Sequence, residues 1–559
     1  MKETLRSHVT GNLGNLELTH SQAEAVSKLG TFLAGDTPLF LLKGYAGTGK
    51  TFLIKVLASY FDHIGREFYL MAPTGRAGKV LRENTDFPAY TIHKSIYDFT
   101  NLKEYQYEEK DGDETYRFFF DLSTETHNTD TVFILDEASM ISDKYNDNEF
   151  LRFGSGHLLA DLLHFATPGP GLKRKIIFVG DSAQLPPVNM TTSPALNKEY
   201  LKDHYNLEAE EYLLTDVVRQ KKNSGILANA TRLRNSILHG TYNQFKIDTG
   251  YPDVTLLPVE DIIDTYRAKF GQKVDENSVI IAYSNSKVRH YNQMMRAFLF
   301  PDRKNIVPGD RVLVVKNNYN YPVEIFNGDF SFIKAVSDQP ETHQIPLYKL
   351  KQKETIELTF RDIVIEFRSQ DQKPTRFSCK MIENLLFSPS RDLSNDEKKA
   401  LYIDFKIRHP KLKPGDPLFA EVLKKDPYFN CLFLKFGYAV TCHKAQGGEW
   451  ENAFVDFHAN TGYQTEGYYR WAYTAMTRGK KYLFAVNPPQ FDMHDELTPI
   501  AVGGETMAKP LVLPPQVQNA HEHYFSPSEG DESLKKICCA VHHMLTGSPY
   551  IVERITHLQ

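Results

Sequence analysis

The chain has 559 residues, 41% hydrophobic and 24% charged, with a net charge of −5 at neutral pH. That length exceeds one hydrophobic core, so about three or four domains are expected, and the balance excludes a disordered or fibrous protein. The weak negative charge excludes a global basic field, so any nucleic-acid binding has to come from a local groove. No apolar run approaches the roughly 20 residues of a membrane span, and Met1-Lys2-Glu3-Thr4-Leu5-Arg6 leads into no signal-peptide core. The five cysteines, Cys379, Cys431, Cys442, Cys538 and Cys539, form neither a C-x-x-C pair nor a disulfide framework. An intracellular, reducing location without a structural zinc site is expected, and the composition suggests no membrane partner.

The first strong element in chain order is the apolar run Leu39-Phe40-Leu41-Leu42, which reads as a buried strand. It delivers the chain to Gly44-Tyr45-Ala46-Gly47-Thr48-Gly49-Lys50-Thr51, and Phe52-Leu53-Ile54-Lys55-Val56-Leu57 continues as a helix. A strand, a glycine-rich turn and a helix N-terminus in that order make a P-loop. The glycines let backbone N–H groups point at phosphate oxygens, and the helix adds its positive end. Lys50 is then placed to reach the β- and γ-phosphates and the Thr51 hydroxyl to hold Mg²⁺. A nucleoside triphosphate is expected on Gly44, Ala46, Gly47, Thr48, Gly49, Lys50 and Thr51.

Further buried strands are expected at 68–71, 132–135 and 176–179, alternating with helical segments, which argues a parallel sheet covered on both faces. Residues 98–122 interrupt this series with Tyr105, Tyr107, an Asp111-Gly112 turn, then Tyr116, Phe118 and Phe120. Period-two alternation about such a turn is a β-hairpin, here with an acidic tip. The strand at 132–135 ends in Asp136-Glu137-Ala138-Ser139. A P-loop enzyme needs one acid there for the Mg²⁺ shell and one to orient the attacking water, and Asp136 and Glu137 suit those roles. The strand at 176–179 runs into Gly180-Asp181-Ser182-Ala183-Gln184-Leu185-Pro186-Pro187-Val188.

A second α/β series at 278–282, 454–457 and 481–486 has no P-loop. It is broken by a β-rich stretch with Ile356, Leu358, Phe360, Ile363, Ile365 and Phe367 in alternation, followed by a helix opened by the Ser394/Glu397 capping box. Near the C-terminus, Ile537-Cys538-Cys539-Ala540-Val541 suggests a docked helix, with a partner-binding tail as the alternative.

The order of these motifs resembles that of the superfamily 1 DNA helicases of the RecD and Dda type. The resemblance runs from Leu18-Thr19-His20-Ser21-Gln22 through the P-loop, Ala72-Pro73-Thr74-Gly75-Arg76, Thr91-Ile92-His93 and the two acidic and GDSAQLPPV strings. It continues in Leu214-Thr215-Asp216-Val217-Val218-Arg219-Gln220, Ile325-Phe326-Asn327-Gly328-Asp329, Thr441-Cys442-His443-Lys444-Ala445-Gln446 and Tyr473-Thr474-Ala475-Met476-Thr477-Arg478.

The resemblance implies a role for each. Gln22 would read the adenine edge, unless it is a plain helix-surface glutamine. Gln184 would sense the γ-phosphate, and Arg219 and Arg478 would reach it across the cleft from the second domain. Pro73, Thr74, Arg76, His93, Thr441, His443 and Lys444 would touch single-stranded DNA. Tyr319 and Phe326 would either stack on bases or pack in the core.

The resemblance also implies the layout. Two RecA-like α/β domains with parallel sheets are expected, the first at 1–97 and 123–195 and the second at 196–335 and 431–489. The 98–122 hairpin would be a strand-separating pin or a solvated hairpin without a DNA role. Residues 336–430 would be a small SH3-like insertion, and 490–559 an extension of unknown role. The implied activity is an ATP- and Mg²⁺-dependent helicase moving 5′ to 3′ on single-stranded DNA and acting at single/double-strand junctions. A protein-stripping translocase and a noncatalytic binding module are the alternatives.

Overall fold

The structure is a computed structural model that describes residues 5–12, 18–108, 114–124, 127–146, 151–167, 173–217, 224–349, 352–368, 374–413, 416–460 and 462–491. They belong to one compact unit, Met1–Glu496; the second unit, Leu497–Gln559, and with it the expected helix at 537–541, lies outside the described residues.

The first domain contributes β1 (Leu39–Gly44), β2 (Phe68–Ala72), β3 (Ala89–Thr91), the hairpin β4 (Tyr97–Glu108) and β5 (Glu114–Leu122), β6 (Val132–Leu135), β7 (Leu151–Phe153), β8 (Lys175–Gly180) and β9 (Ala209–Leu214). Six of these form a sheet in the order β3-β2-β6-β8-β1-β9, parallel throughout. Its strands read as unbroken apolar runs because both faces are covered. Leu39 and Leu41 of β1 enter one core while Phe40 and Leu42 enter the other, and Phe133, Leu135, Ile176 and Phe178 repeat the split against Val132, Ile134, Ile177 and Val179. That is the signature of a buried parallel sheet. Phe178 is fully buried at the centre. Phe178→Ala should therefore cost about 3 to 5 kcal/mol of stability, read from the urea midpoint by circular dichroism. A cost below about 1 kcal/mol would show that this face is not tightly packed.

The sheet's last strand, β9, lies beyond residue 195, where the first domain was expected to end. β5 also pairs with β7 in a separate three-stranded sheet with β4.

The second domain carries β10 (Val254–Leu257), β11 (Ser278–Ala282), β12 (Arg311–Val314), β13 (Phe330–Val336), β14 (Glu341–Lys349), β15 (Gln352–Arg368), β16 (Pro374–Ile382), β17 (Leu434–Phe436), β18 (Ala439–Thr441), β19 (Trp450–Asp456) and β20 (Gly479–Val486). β10-β20-β19-β11-β18 form a second parallel sheet. Between β11 and β18 the chain builds an antiparallel sheet of β12 to β17. The β-rich insertion thus draws on strands outside 336–430, from Arg311 and as far as Phe436. Among the described residues, no helix is long and apolar enough to cross a membrane.

Candidate nucleotide site and nucleic-acid cleft

β1 ends at Gly44, and the loop turns through Gly47 (φ 80°) and Gly49 (φ 83°), left-handed conformations that a Cβ would strain. Gly49 is the N-cap of the helix Lys50–His63 and offers no side chain to the helix's first N–H groups, which leaves them to an anion. A Cβ on Gly44 would sit 2.7 Å from Thr48 Oγ1, so the loop closes tightly at its root. Lys50 Nζ donates to the carbonyls of Gly44 (2.7 Å) and Tyr45 (3.0 Å). Gln22, buried, donates from Nε2 to Thr48 O (3.1 Å) and accepts from Thr19 N–H (3.1 Å), so its amide tethers the loop to the N-terminus of the helix His20–Ala34.

Asp136 and Glu137 follow β6 directly. Asp136 Oδ1 accepts the Glu137 N–H at 2.9 Å, and Glu137 sits at φ 51°, an uncommon conformation for a residue with a side chain. Burial, and secondly the Glu137 charge, pushes the Asp136 carboxyl up to about 7. Glu137 Oε2, Ser139 Oγ and Gln184 Oε1 are buried without a hydrogen-bond partner. Three orphaned oxygens beside a raised carboxyl and a phosphate loop fit a hydrated hard cation, whose waters would satisfy them.

The second domain grips this site from across the cleft. Tyr473, in the helix Glu466–Met476, accepts from Ala46 N–H (3.0 Å) and donates to Asp181 Oδ2 (2.7 Å). Thr474 Oγ1 accepts from Leu185 N–H (2.9 Å), and Gln446 Nε2 donates to Leu185 O (3.2 Å). Arg470 donates to the carbonyls of Ser182 and Gln184. The Arg234 guanidinium lies 4.2 Å over the Tyr45 ring, with its Nε buried and unpartnered. Tyr45, Ala183 and Leu185 share one apolar cluster with Val279, Ile281 and Val455 of the second domain.

A cleft of about 950 Å³ opens beside this site, walled by both domains and the insertion. Pro73, Thr74, Arg76, His93, His443 and Lys444 all line it; Thr441 is not among its lining residues. Burial, and then Arg391, pushes Lys444 down to about 8. Burial, then Lys444 and Arg289, does the same to Lys435. Lys444 lines the cleft and Lys435 does not, so Lys444 is the one of the two placed to meet an anion there. His93 is half-buried on the cleft wall, and the loss of solvent around its ring holds it down to about 4; the ring packs on Phe153 at 5.1 Å. Arg76 is half-buried with its guanidinium 4.0 Å over Trp450, and desolvation lowers it to about 9. Tyr319 lines the cleft 5.4 Å from Phe99. Phe326 instead packs into the first domain, since a Cβ on Gly75 would fall 1.8 Å from its Cγ. Lys424 Nζ, from the insertion, donates to Phe99 O (2.9 Å) at the hairpin's base.

A family model described as an AAA domain matches residues 17–241, and one described as a UvrD-like helicase C-terminal domain matches residues 436–486. The ATP-dependent RecD2 DNA helicase of Deinococcus radiodurans is 26% identical over 334 residues, covering 56% of this chain and 38% of that protein. The chain is thus similar to the superfamily 1 helicases of the RecD type. Protein R530 of Acanthamoeba polyphaga mimivirus, itself uncharacterized, is 23% identical over 486 residues, covering 78% of this chain and 92% of the viral protein. Among solved structures, Pif1 from Bacteroides with ADP-AlF3 and ssDNA aligns at 16% identity over 87% of this chain and 95% of that one, with a TM-score of 0.41.

Within this chain, the expected nucleotide residues Gln22, Gly44 to Thr51, Asp136, Glu137 and Gln184 are set around the P-loop and the ends of β6 and β8. Arg219 lies outside the described residues. Arg478 is buried and donates to carbonyls of its own domain, Thr474 O (2.9 Å) and Gly448 O (3.3 Å). Arg234, Arg470, Tyr473 and Thr474 were missed by the motif reading. The last two lie in the same string as Arg478, and their polar side chains on a helix otherwise full of core residues were the available signal.

Proposed function

We propose that this chain is an ATP-dependent DNA helicase that moves 5′ to 3′ on single-stranded DNA and opens duplex at single/double-strand junctions. The observation that carries the reading is the second domain's grip on the turn at Asp181 to Leu185, beside a P-loop and a cation-lined cleft. A first-domain turn that would face the nucleotide and a second-domain wall that would hold DNA are thereby joined across the cleft.

Lys50 and the open N–H groups of the Lys50–His63 helix hold the phosphates, with Lys50 leaving its loop carbonyls to do so. Gln22 spends only one of its two amide N–H groups on the loop, and the other is left for an adenine edge. Glu137 Oε2 accepts a proton from the attacking water, and Gln184 Oε1 orients that water. Thr51 and Asp136 would hold Mg²⁺, which when bound would screen the phosphate charge. Arg219 and Arg478 supply positive charge to the departing phosphoryl group once the domains close, Arg478 giving up its carbonyls. Pro73, Thr74, His93, Thr441 and His443 hold the DNA backbone by uncharged contacts, and Lys444 by charge. Arg76 shapes the wall through Trp450. The activity needs an intracellular compartment that holds both ATP and DNA, and the cytoplasm is the one proposed.

ATPase turnover is expected to rise strongly with single-stranded DNA and to lose that stimulation as salt rises. Duplex with a 5′ single-stranded tail should be unwound in preference to duplex with a 3′ tail. Equal ATPase rates with and without DNA would overturn the coupling, and preference for the 3′ tail would overturn the polarity.

A further inference from the structure

Tyr473 joins three parts of the site that are far apart in sequence. Its hydroxyl accepts from the P-loop at Ala46 N–H and donates to Asp181 Oδ2. The other Asp181 oxygen accepts Ala183 N–H (2.9 Å), and the Asp181 carbonyl accepts Gln184 N–H (3.2 Å). One carboxylate therefore shapes the turn that presents Gln184 and answers to a hydroxyl from the opposite domain. Tyr473 and Asp181 are both buried, at 2% and 0% exposure, and burial lifts the phenol well above its ordinary value, so it stays protonated and able to donate. A core ring without a task here would not need the oxygen.

The same helix and its neighbours reach the DNA side. Gln446, which holds Leu185 O, stands two residues after Lys444 on the cleft wall. A shift of that wall is felt at Leu185, next to Gln184, while Tyr473 fixes the other end of the turn against the P-loop.

We propose that Tyr473 is a positioning residue whose hydroxyl ties the P-loop to the Gln184 turn only when the two domains are closed, and so makes hydrolysis answer to DNA. This rests on the DNA-coupled ATPase reading above. Phosphate binding and coupling are separable under it, because Tyr473 holds the lip of the loop and not the Lys50 amine.

The test uses the full chain with Tyr473→Phe, Asp181→Asn and both together. DNA-stimulated kcat should fall about tenfold in each single variant, while the KM for ATP and the binding of a fluorescent nonhydrolysable ATP analogue change less than about threefold. The ratio of turnover with and without DNA should collapse, and the double variant should lose no more than the worse single one, since the two groups act as a unit. Asp181→Asn keeps the side chain's shape, so it reports even if Tyr473→Phe fails to fold by circular dichroism. An unchanged stimulation ratio, a change confined to KM, or additive losses would overturn the inference. If the wild-type chain shows no DNA stimulation, it is the helicase reading that fails; if it does and Tyr473→Phe keeps it, only this inference fails.

Discussion

Glu137→Gln is expected to leave ATP binding intact and to lower DNA-stimulated turnover at least about a hundredfold, the usual scale for losing a positioned general base. The substitution keeps the volume of the side chain and replaces the carboxylate that would take the proton. Glu137 Oε2 is buried and unpartnered among the protein's own groups, and the residue is held at φ 51° at the end of β6. A strained, unsatisfied carboxylate beside a phosphate loop is costly to keep and is explained by the water it would orient. Lys50→Ala should abolish turnover by a different route. It removes the cation for the phosphates and also the two bonds that cap Gly44 O and Tyr45 O, so ATP affinity should fall as well. Binding of ATP and steady-state hydrolysis, measured on both variants, separate the two. Turnover above about a tenth of wild type in either would remove that residue from its role.

What the sequence revealed follows from how local the constraint is. The P-loop was legible because a strand, two left-handed glycines and a helix start are fixed within a dozen residues. The doubly covered sheet was legible because β1, β6 and β8 are apolar on both faces. The insertion's limits were not legible. Arg311–Val314 is buried along its whole length and so reads like a parallel core strand, yet it pairs antiparallel with β13 and β17; a short buried run cannot reveal its partners. β9 lies past the boundary expected at residue 195, and its alternating burial is that of the sheet's edge strand. The Tyr473–Asp181 bond spans 292 positions, and the hydroxyl on a core helix is a local signal that does not name its distant partner. Packing was equally hidden: His93, which the resemblance would set against DNA, is held uncharged beside aromatic rings, and Phe326 fills the space that Gly75 leaves.

Shortening the hairpin is expected to separate the two activities. β4 and β5 pair antiparallel with Tyr105 opposite Arg117 and Gln106 opposite Tyr116, and the tip at 109–113 lies outside the described residues. Replacing 107–115 by an Asn-Gly turn joins Gln106 to Tyr116 in register, and that dipeptide supplies the twist a two-residue connection needs. The base stays anchored, because β5 pairs with β7 and Lys424 holds Phe99 O. DNA-stimulated ATPase should therefore stay within about twofold of wild type, since translocation uses the cleft and its cations. Unwinding of 5′-tailed duplex should fall about tenfold or more. A stacked base-pair step costs about 1.4 kcal/mol to open, so a surface that stabilises one open step changes the opening equilibrium by about tenfold. Strand-separation and ATPase rates measured on the same preparation decide the matter. Full unwinding by the shortened chain would make the hairpin a solvated ornament. A matching loss of both activities would make it part of the cleft wall, with no separate task at the junction.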